Sequence, residues 1–344
     1  MNAFVTRAAD AELYLFPASG AGAFAISPAL VRWVRRSAAE YDIVHVHGLL
    51  NPISSLSART ALRQDATVVI RPFGTLSRYT FHHRRTALKR AYFRLVERRN
   101  LREASALHFT TSTERGDADW HGIDFTGRAY VVPPPSLARV GSSRPHQVDG
   151  DRARVLFLGR VVPVKNVECL LDAWSLVHRQ CPSALLEIAG EGESAYMAAL
   201  HERAARLGIA SSVVFRGFVS GETKNKVLGS ATLLVLPSLH ENFGIVVLEA
   251  LEAGVPVVVS PQVQLADFVR GEGLGMVVES MSRELSQAIV GMIGEEGEPL
   301  RTRARERGAE IVARTFSPQI VGDLLSTMYR RASERSRVRG STGR

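Results

Sequence analysis

Cysteine is scarce: the 344 residues include two, Cys169 and Cys181, too few for a disulfide framework. Long apolar runs are absent, since none reaches the roughly 18 residues that a membrane-spanning helix needs. The opening stretch MNAFVTRAADAELYLF lacks the continuous apolar segment and small-residue cleavage site of a secretory signal. These absences argue against a small disulfide-built secreted fold and make a reducing cytoplasm the expected compartment. Lysine is the third scarcity. Of 43 basic residues only Lys89, Lys165, Lys224 and Lys226 are lysines, and the net charge is +9. Such a charge reflects either codon composition or an anionic partner, whether nucleic acid, membrane surface or phosphorylated substrate, and charge alone does not choose among these. No helix-turn-helix, zinc-finger or RNP-like pattern is present, so nucleic acid is not the expected one.

What is present is a soluble, two-domain composition, 45% hydrophobic and 22% charged. Short apolar runs read as buried strands: DIVHVHGLL, TVVIRPFG, ALHFTTS and AYVVPPP, then RVLFLG, ALLEIAG, VVFRGF, TLLVLPS and VPVVVS. Helical patterns separate them. SPALVRWVRRSAAEY has Ser27 placed to cap and Pro28 at the first helical position. In VECLLDAWSLVHRQ, Val167, Leu170, Leu171, Trp174 and Val177 share one face. Strand–helix alternation implies parallel α/β sheets. The polar, turn-rich GSSRPHQVDGD, Gly141 to Asp151, reads as a linker. The expected organisation is a domain over 1–148 and a second over 149–325, facing an interdomain cleft. From 326 to 344 the helix FSPQIVGDLLSTMYRRAS ends in a basic, disordered tail.

Three strand-end segments in the second half carry chemistry. In FLGRVVPVKN, Gly159 gives backbone freedom, and Arg160 and Lys165 supply a forked and a compact cation suited to phosphate. LEIAGEGE ends in Gly190 and Gly192, where backbone can approach a ligand. In HENFGIVVLEALEAG, Asn242 or Glu241 is expected to cap a helix starting near Phe243. The N–H groups of Phe243, Gly244 and Ile245 then point at an anion. Glu249, about a turn and a half further in, is placed for ribose hydroxyls. Glu241 is placed to meet whatever lies beyond the phosphates. Gly254 closes the helix, and Glu252 reads as an exposed helix charge.

Through FLGRVVPVKN, LEIAGEGE, VVFRGFV and PSLHENFGIVVLEALEAGVPVVVS the chain resembles a GT-B glycosyltransferase of glycosyltransferase family 4, whose E-x7-E signature the last stretch contains. DIVHVHG and RRNLREASALHFTTS extend the resemblance more loosely into the first half. The resemblance implies two Rossmann-like domains and a UDP- or GDP-linked sugar donor. It also implies transfer with retention of configuration, needing neither metal nor cofactor. Arg160 and Lys165 would bind the diphosphate, Glu249 the ribose and Glu241 the transferred sugar, with Glu241, Arg160 and Lys165 as the catalytic set. The triplets Asp117-Ala118-Asp119 and Asp149-Gly150-Asp151 do not directly follow strands and read as surface charge. The acceptor would be a glycan or lipid-linked hydroxyl, as in surface polysaccharide synthesis.

The chain departs from the family pattern in the first half. The usual first strand and glycine-rich loop are not recognisable: AELYLFP resembles a later element, and SGAGAF precedes a helix expected further downstream. IRPFGTLSRY has Phe73 near the point where relatives carry a histidine, leaving His47, Arg71 and Gly74 as acceptor-side candidates. VVPPP stands where relatives have Pro-Asn-Gly. Arginines crowd Arg78 to Arg102 beside an apolar face of Leu88, Tyr92, Leu95 and Val96. This stretch is either a solvated face or a contact with anionic lipid at the inner membrane surface. The alternative to transfer is a catalytically impaired relative that binds nucleotide sugar or a partner.

Overall fold

The structure, a computed structural model, describes residues 4–8, 11–20, 24–82, 86–136 and 152–342. The linker 141–151 with its Asp149 triplet, part of SGAGAF, and Arg84 and Arg85 lie outside them. Two compact units divide the chain: Met1–Pro134 with Val321–Arg344, and Pro135–Ile320.

In the first unit, β1 (Phe4–Ala8) and β2 (Ala11–Leu15) form an antiparallel pair. A separate parallel sheet runs in the order β3 (Val44–His47), β4 (Val68–Arg71), β5 (Ala106–Phe109), β6 (Ala129–Val131). The helix Pro28–Ser37 starts as its sequence requires, with Ser27 Oγ accepting from Leu30 N–H at 3.3 Å. Alternate residues of a strand face opposite sides. Val68, Ile70 and Leu107 therefore pack with Phe81, Phe93 and Leu101. Val69 and Ala106 on the other face meet Val321, Met328 and Ala332 of the helix Pro318–Thr342. That contact revises two expectations. The chain from Val321 onward belongs to the first unit because this apolar stripe has a sheet face to cover, and the basic tail is helical through Thr342. The division also falls at Pro134–Pro135 rather than at 148–149.

The second unit holds a six-stranded parallel sheet with strands β7 (Arg154–Leu158), β8 (Leu185–Ala189), β9 (Val213–Gly217), β10 (Leu233–Leu236), β11 (Val257–Val259) and β12 (Gly275–Val277). Their order is β12-β11-β10-β7-β8-β9. Helices cover both faces, so the central strands are apolar throughout; Val155, Leu233, Leu234, Val235, Val257 and Val258 are fully buried. Trp174, from the helix Val167–Gln180, is also buried, and its indole N–H donates to Ser212 Oγ at 3.0 Å.

Candidate active site

The strand order of the second unit reverses at β7. The chain steps outward through β8 and β9, then returns to lay β10 on the other side of β7. Such a reversal opens a crevice beyond the carboxyl ends of the strands. The loops leaving β7 and β10 meet there. Leu239 N–H donates to Val164 O at 2.8 Å, and Lys165 Nζ donates to Glu241 Oε2. Lys165 ends a short turn, Pro163–Lys165, and Arg160 stands exposed on the same loop. Glu241 is fixed by its own backbone, whose N–H bonds to Gln262 O at 3.1 Å.

The helix starts at Ile245, not near Phe243, and neither Asn242 nor Glu241 caps it. The cap is Gly244 in the left-handed conformation, φ +86. The reason lies in packing. Phe243 is buried edge-on against Phe316 at 5.9 Å, so the chain must reverse before the helix can begin. The side-chain oxygen and nitrogen of Asn242 are both buried without a hydrogen-bond partner. With no side-chain cap on this helix, its first-turn N–H groups are suited to an anion. Glu249, on the helix Ile245–Glu252, accepts from Lys224 Nζ at 2.6 Å. Sequence reasoning passed over Lys224, although the scarcity of lysine that singled out Lys165 applied equally to it.

The glycines divide by role. A Cβ on Gly190 would collide with Gly159 O, and one on Gly192 with Val161 O, so close packing of neighbouring loops already requires both. A Cβ on Gly159 would meet open space. Glu252 is not an exposed charge. Ser136 Oγ donates to its Oε1, its Oε2 is buried without a partner, and burial raises its pKa. Asp117 lies in the helix Ser112–Ala118 and Asp119 opens the following turn, away from any strand end.

His47, Arg71 and Gly74 gather at the ends of β3 and β4 in the first unit. His47 pairs with Arg71 in the strand register. The Arg71 guanidinium lies 4.8 Å from the Phe73 ring centre, and its Nε and Nη2 are buried without a hydrogen-bond partner. Burial lowers its pKa. Gly74 N–H and Thr110 N–H both donate to the buried carboxylate of Glu114. Beside them runs a chain of ring contacts that sequence reasoning missed: Tyr329 OH to His45 Nδ1 at 2.8 Å, His45 Nε2 to His108 Nδ1 at 3.3 Å, and His108 Nε2 to Val132 O at 2.7 Å. A carbonyl accepts only, so His108 carries its proton on Nε2, and the donors then run in one direction from Tyr329 to Val132. Burial is the first cause that lowers His45 to about 3 and His108 to about 4.

Residues 142–311 match the family described as glycosyl transferases group 1, and residues 3–135 match the glycosyl transferase 4-like domain. An uncharacterized glycosyltransferase of Methanocaldococcus jannaschii is 40% identical over 131 residues, 38% of this chain and 33% of that one. The D-inositol 3-phosphate glycosyltransferase of Segniliparus rotundus is 30% identical over 241 residues, 67% of this chain and 53% of that one. The chain thus spans from a third to about half of these two relatives. Among solved structures, sucrose-phosphate synthase from Thermosynechococcus elongatus superposes with a TM-score of 0.71 at 21% identity, covering 88% of this chain and 77% of that one. Anabaena HepE in complex with UDP and glucose gives 0.67 at 19% identity, covering 88% and 80%. The chain therefore carries the two Rossmann-like domains of the GT-B glycosyltransferase class.

Proposed function

We propose that this chain is a hexosyltransferase. It moves a sugar from a UDP- or GDP-linked donor to a hydroxyl of a glycan or lipid-linked acceptor, with retention of configuration and without a metal. The observation that carries this reading is the meeting of the loops after β7 and β10, where Lys165 donates to Glu241 just ahead of a helix N-terminus that no side chain caps. Arg160, Lys165 and the first-turn N–H groups of the helix Ile245–Glu252 would receive the diphosphate. Glu249, steadied by Lys224, would accept from the ribose, and Glu241 from hydroxyls of the transferred sugar.

In the reaction the bond between the anomeric carbon and the diphosphate oxygen breaks, and negative charge grows on the leaving group. Cations and a helix dipole already aimed at that charge stabilise it without reorganising. The acceptor hydroxyl bonds to the anomeric carbon on the face that the diphosphate leaves, and its proton passes to a phosphate oxygen. His47 and Arg71 stand on the acceptor side in this reading. The arginine-rich stretch from Arg78 to Arg102 would rest on the anionic inner membrane surface, as a lipid-linked acceptor would require. The UDP and UDP-glucose complexes of HepE support a nucleotide-sugar donor.

The test is thermal stabilisation by UDP, GDP, UDP-glucose and GDP-mannose, for the native chain and for Glu249→Ala. A ligand at 100 times its Kd stabilises by about 2.7 kcal/mol. Stabilisation by one nucleotide class, lost in the variant, supports the donor site. Stabilisation with no transfer to any acceptor would favour a binding protein instead, and no stabilisation by any of the four would refute the reading.

A further inference from the structure

The arginine-rich stretch of the first unit is more than a diffuse charge. Arg90, Arg94 and Arg98 line one pocket of about 270 Å³ together with Phe81, Phe93, Trp120 and His121. They lie on consecutive helical segments, Thr86–Tyr92, Phe93–Glu97 and Arg98–Glu103, and the middle one is a π-turn closed by Arg98 N–H to Phe93 O. In an unbroken α-helix, positions eight apart drift roughly 80° around the axis. A π-turn, closed five residues back rather than four, is wider and takes most of that drift back. The three positions therefore fall on one side of the stretch, and all three arginines line the pocket.

The floor is rigid and aromatic. Trp120 and His121 both donate to Leu76 O, at 2.9 and 3.0 Å. The His121 ring lies 4.3 Å from Phe93 and 4.0 Å from Trp120, and Phe81 meets Trp120 edge-on at 5.4 Å. The rim has no counter-charge. Among the described residues, Arg90, Arg94 and Arg98 form no ion pair, and Arg98 Nε is buried without a partner. Leu95, exposed to 80%, and Leu88, exposed to 50%, stand on the same helical stretch. A buried donor on a cation, beside two more cations, is costly unless an anion satisfies it. Guanidinium forks match phosphate oxygens, and a cavity of this size has room for a phosphate with a small ester but not for a nucleotide sugar.

We infer that this pocket binds a phosphate group, either of an anionic phospholipid headgroup or of a soluble phosphate ester. The site sharpens the membrane contact proposed above and rests on the same basic stretch. Its soluble arm holds or fails without a bilayer, and neither arm depends on sugar transfer.

The test uses the full chain, the double variant Arg90→Gln with Arg94→Gln, and a control of equal charge change, Arg35→Gln with Arg36→Gln, on a different exposed helix of the same unit. All four positions are exposed, so neither variant disturbs the core. sn-Glycerol 3-phosphate is titrated by calorimetry. Vesicles of phosphatidylcholine alone, or with phosphatidylglycerol, are used for flotation. Expected is saturable binding to glycerol phosphate, to phosphatidylglycerol vesicles, or to both, weakened about tenfold or more in the pocket variant and unchanged in the control. Binding to vesicles alone identifies the lipid as the source, and binding to the ester identifies a soluble phosphate. Equal weakening in both variants would reduce the stretch to diffuse charge and overturn the site, as would no binding to any probe.

Discussion

Lys165 Nζ donates directly to Glu241 Oε2, joining the loop after β7 to the loop after β10. Both side chains are mostly buried, at 14% and 16% exposure, so the pair is shielded from water. In the proposed reading, a donor diphosphate competes with Glu241 for this ammonium and frees the carboxylate to accept from a sugar hydroxyl, which would couple phosphate binding to sugar recognition. Lys165→Met should lower kcat/KM by about 100-fold or more, as the loss of a cation aimed at developing charge does. Glu241→Gln should leave the affinity for UDP or GDP unchanged or slightly improved while weakening the sugar nucleotide. Isothermal titration of nucleotide and sugar nucleotide against both variants decides the matter. Equal weakening of both ligands by Glu241→Gln would show that the carboxylate does not serve the sugar.

The second ion pair makes a separate prediction. Lys224, on the helix Gly221–Gly229, donates to Glu249 Oε1 at 2.6 Å, and in the proposed reading it positions that carboxylate. If Glu249 receives the ribose, Glu249→Gln should weaken the nucleotide by about 10- to 100-fold, the range for a hydrogen bond to a charged group. Lys224→Met should weaken it less. A nucleotide lacking both ribose hydroxyls should bind the native chain and Glu249→Gln alike. If the deoxygenated nucleotide still tells the two apart, Glu249 acts on stability rather than on ribose.

The line of rings from Tyr329 to Val132 sets a pH dependence. His45 is lowered to about 3 and His108 to about 4, both from an ordinary 6.5. Both are neutral in the fold and protonate more readily once unfolded. Their contribution is therefore full above pH 6.5 and is lost as pH falls toward 4 and 3. Between pH 7.5 and 5 the loss should be about 2 kcal/mol for each histidine. Urea denaturation at pH 7.5, 6 and 5 measures it. In the double variant His45→Gln with His108→Gln the slope should flatten over this range, which lies above most carboxylate titration. An unchanged slope would mean that other groups carry the acid sensitivity.

Much of the fold was legible in the sequence, because buried parallel strands are short apolar runs bounded by glycine and proline. β12 escaped because GMV is three half-buried residues at a sheet edge. The assignment of the last helix to the first unit escaped because Val321, Met328 and Ala332 do not by themselves say which sheet face receives them. In the site, residue types and spacing pointed to Arg160, Lys165, Glu241 and Glu249. They did not reveal which cation meets which carboxylate, since Lys165 and Glu241 are 76 positions apart. His45 and Tyr329 are 284 apart, so nothing local could join them. The helix start was misplaced because Gly244 reverses the chain through a backbone angle, which leaves no trace in a pattern of side chains.

That angle yields the last prediction. Gly244 at φ +86 is both a conformational and a steric requirement. An added Cβ would lie 3.2 Å from Val263 Cγ1 and 3.3 Å from Glu241 Cγ. Gly254, just past the other end of the same helix, is also left-handed, at φ +75, but follows the helix end remote from the proposed phosphates. Alanine at either position should cost about 1–3 kcal/mol in backbone strain. The two should part over nucleotide binding. Gly244→Ala pushes on Glu241 and redirects the first-turn N–H groups, so it should lose stabilisation by nucleotide, whereas Gly254→Ala should lose stability and keep the nucleotide-induced shift. Thermal melts of both variants with and without saturating nucleotide make the comparison. If the shift survives in Gly244→Ala, the N-terminus of this helix does not hold the diphosphate, and Arg160 and Lys165 must hold it alone.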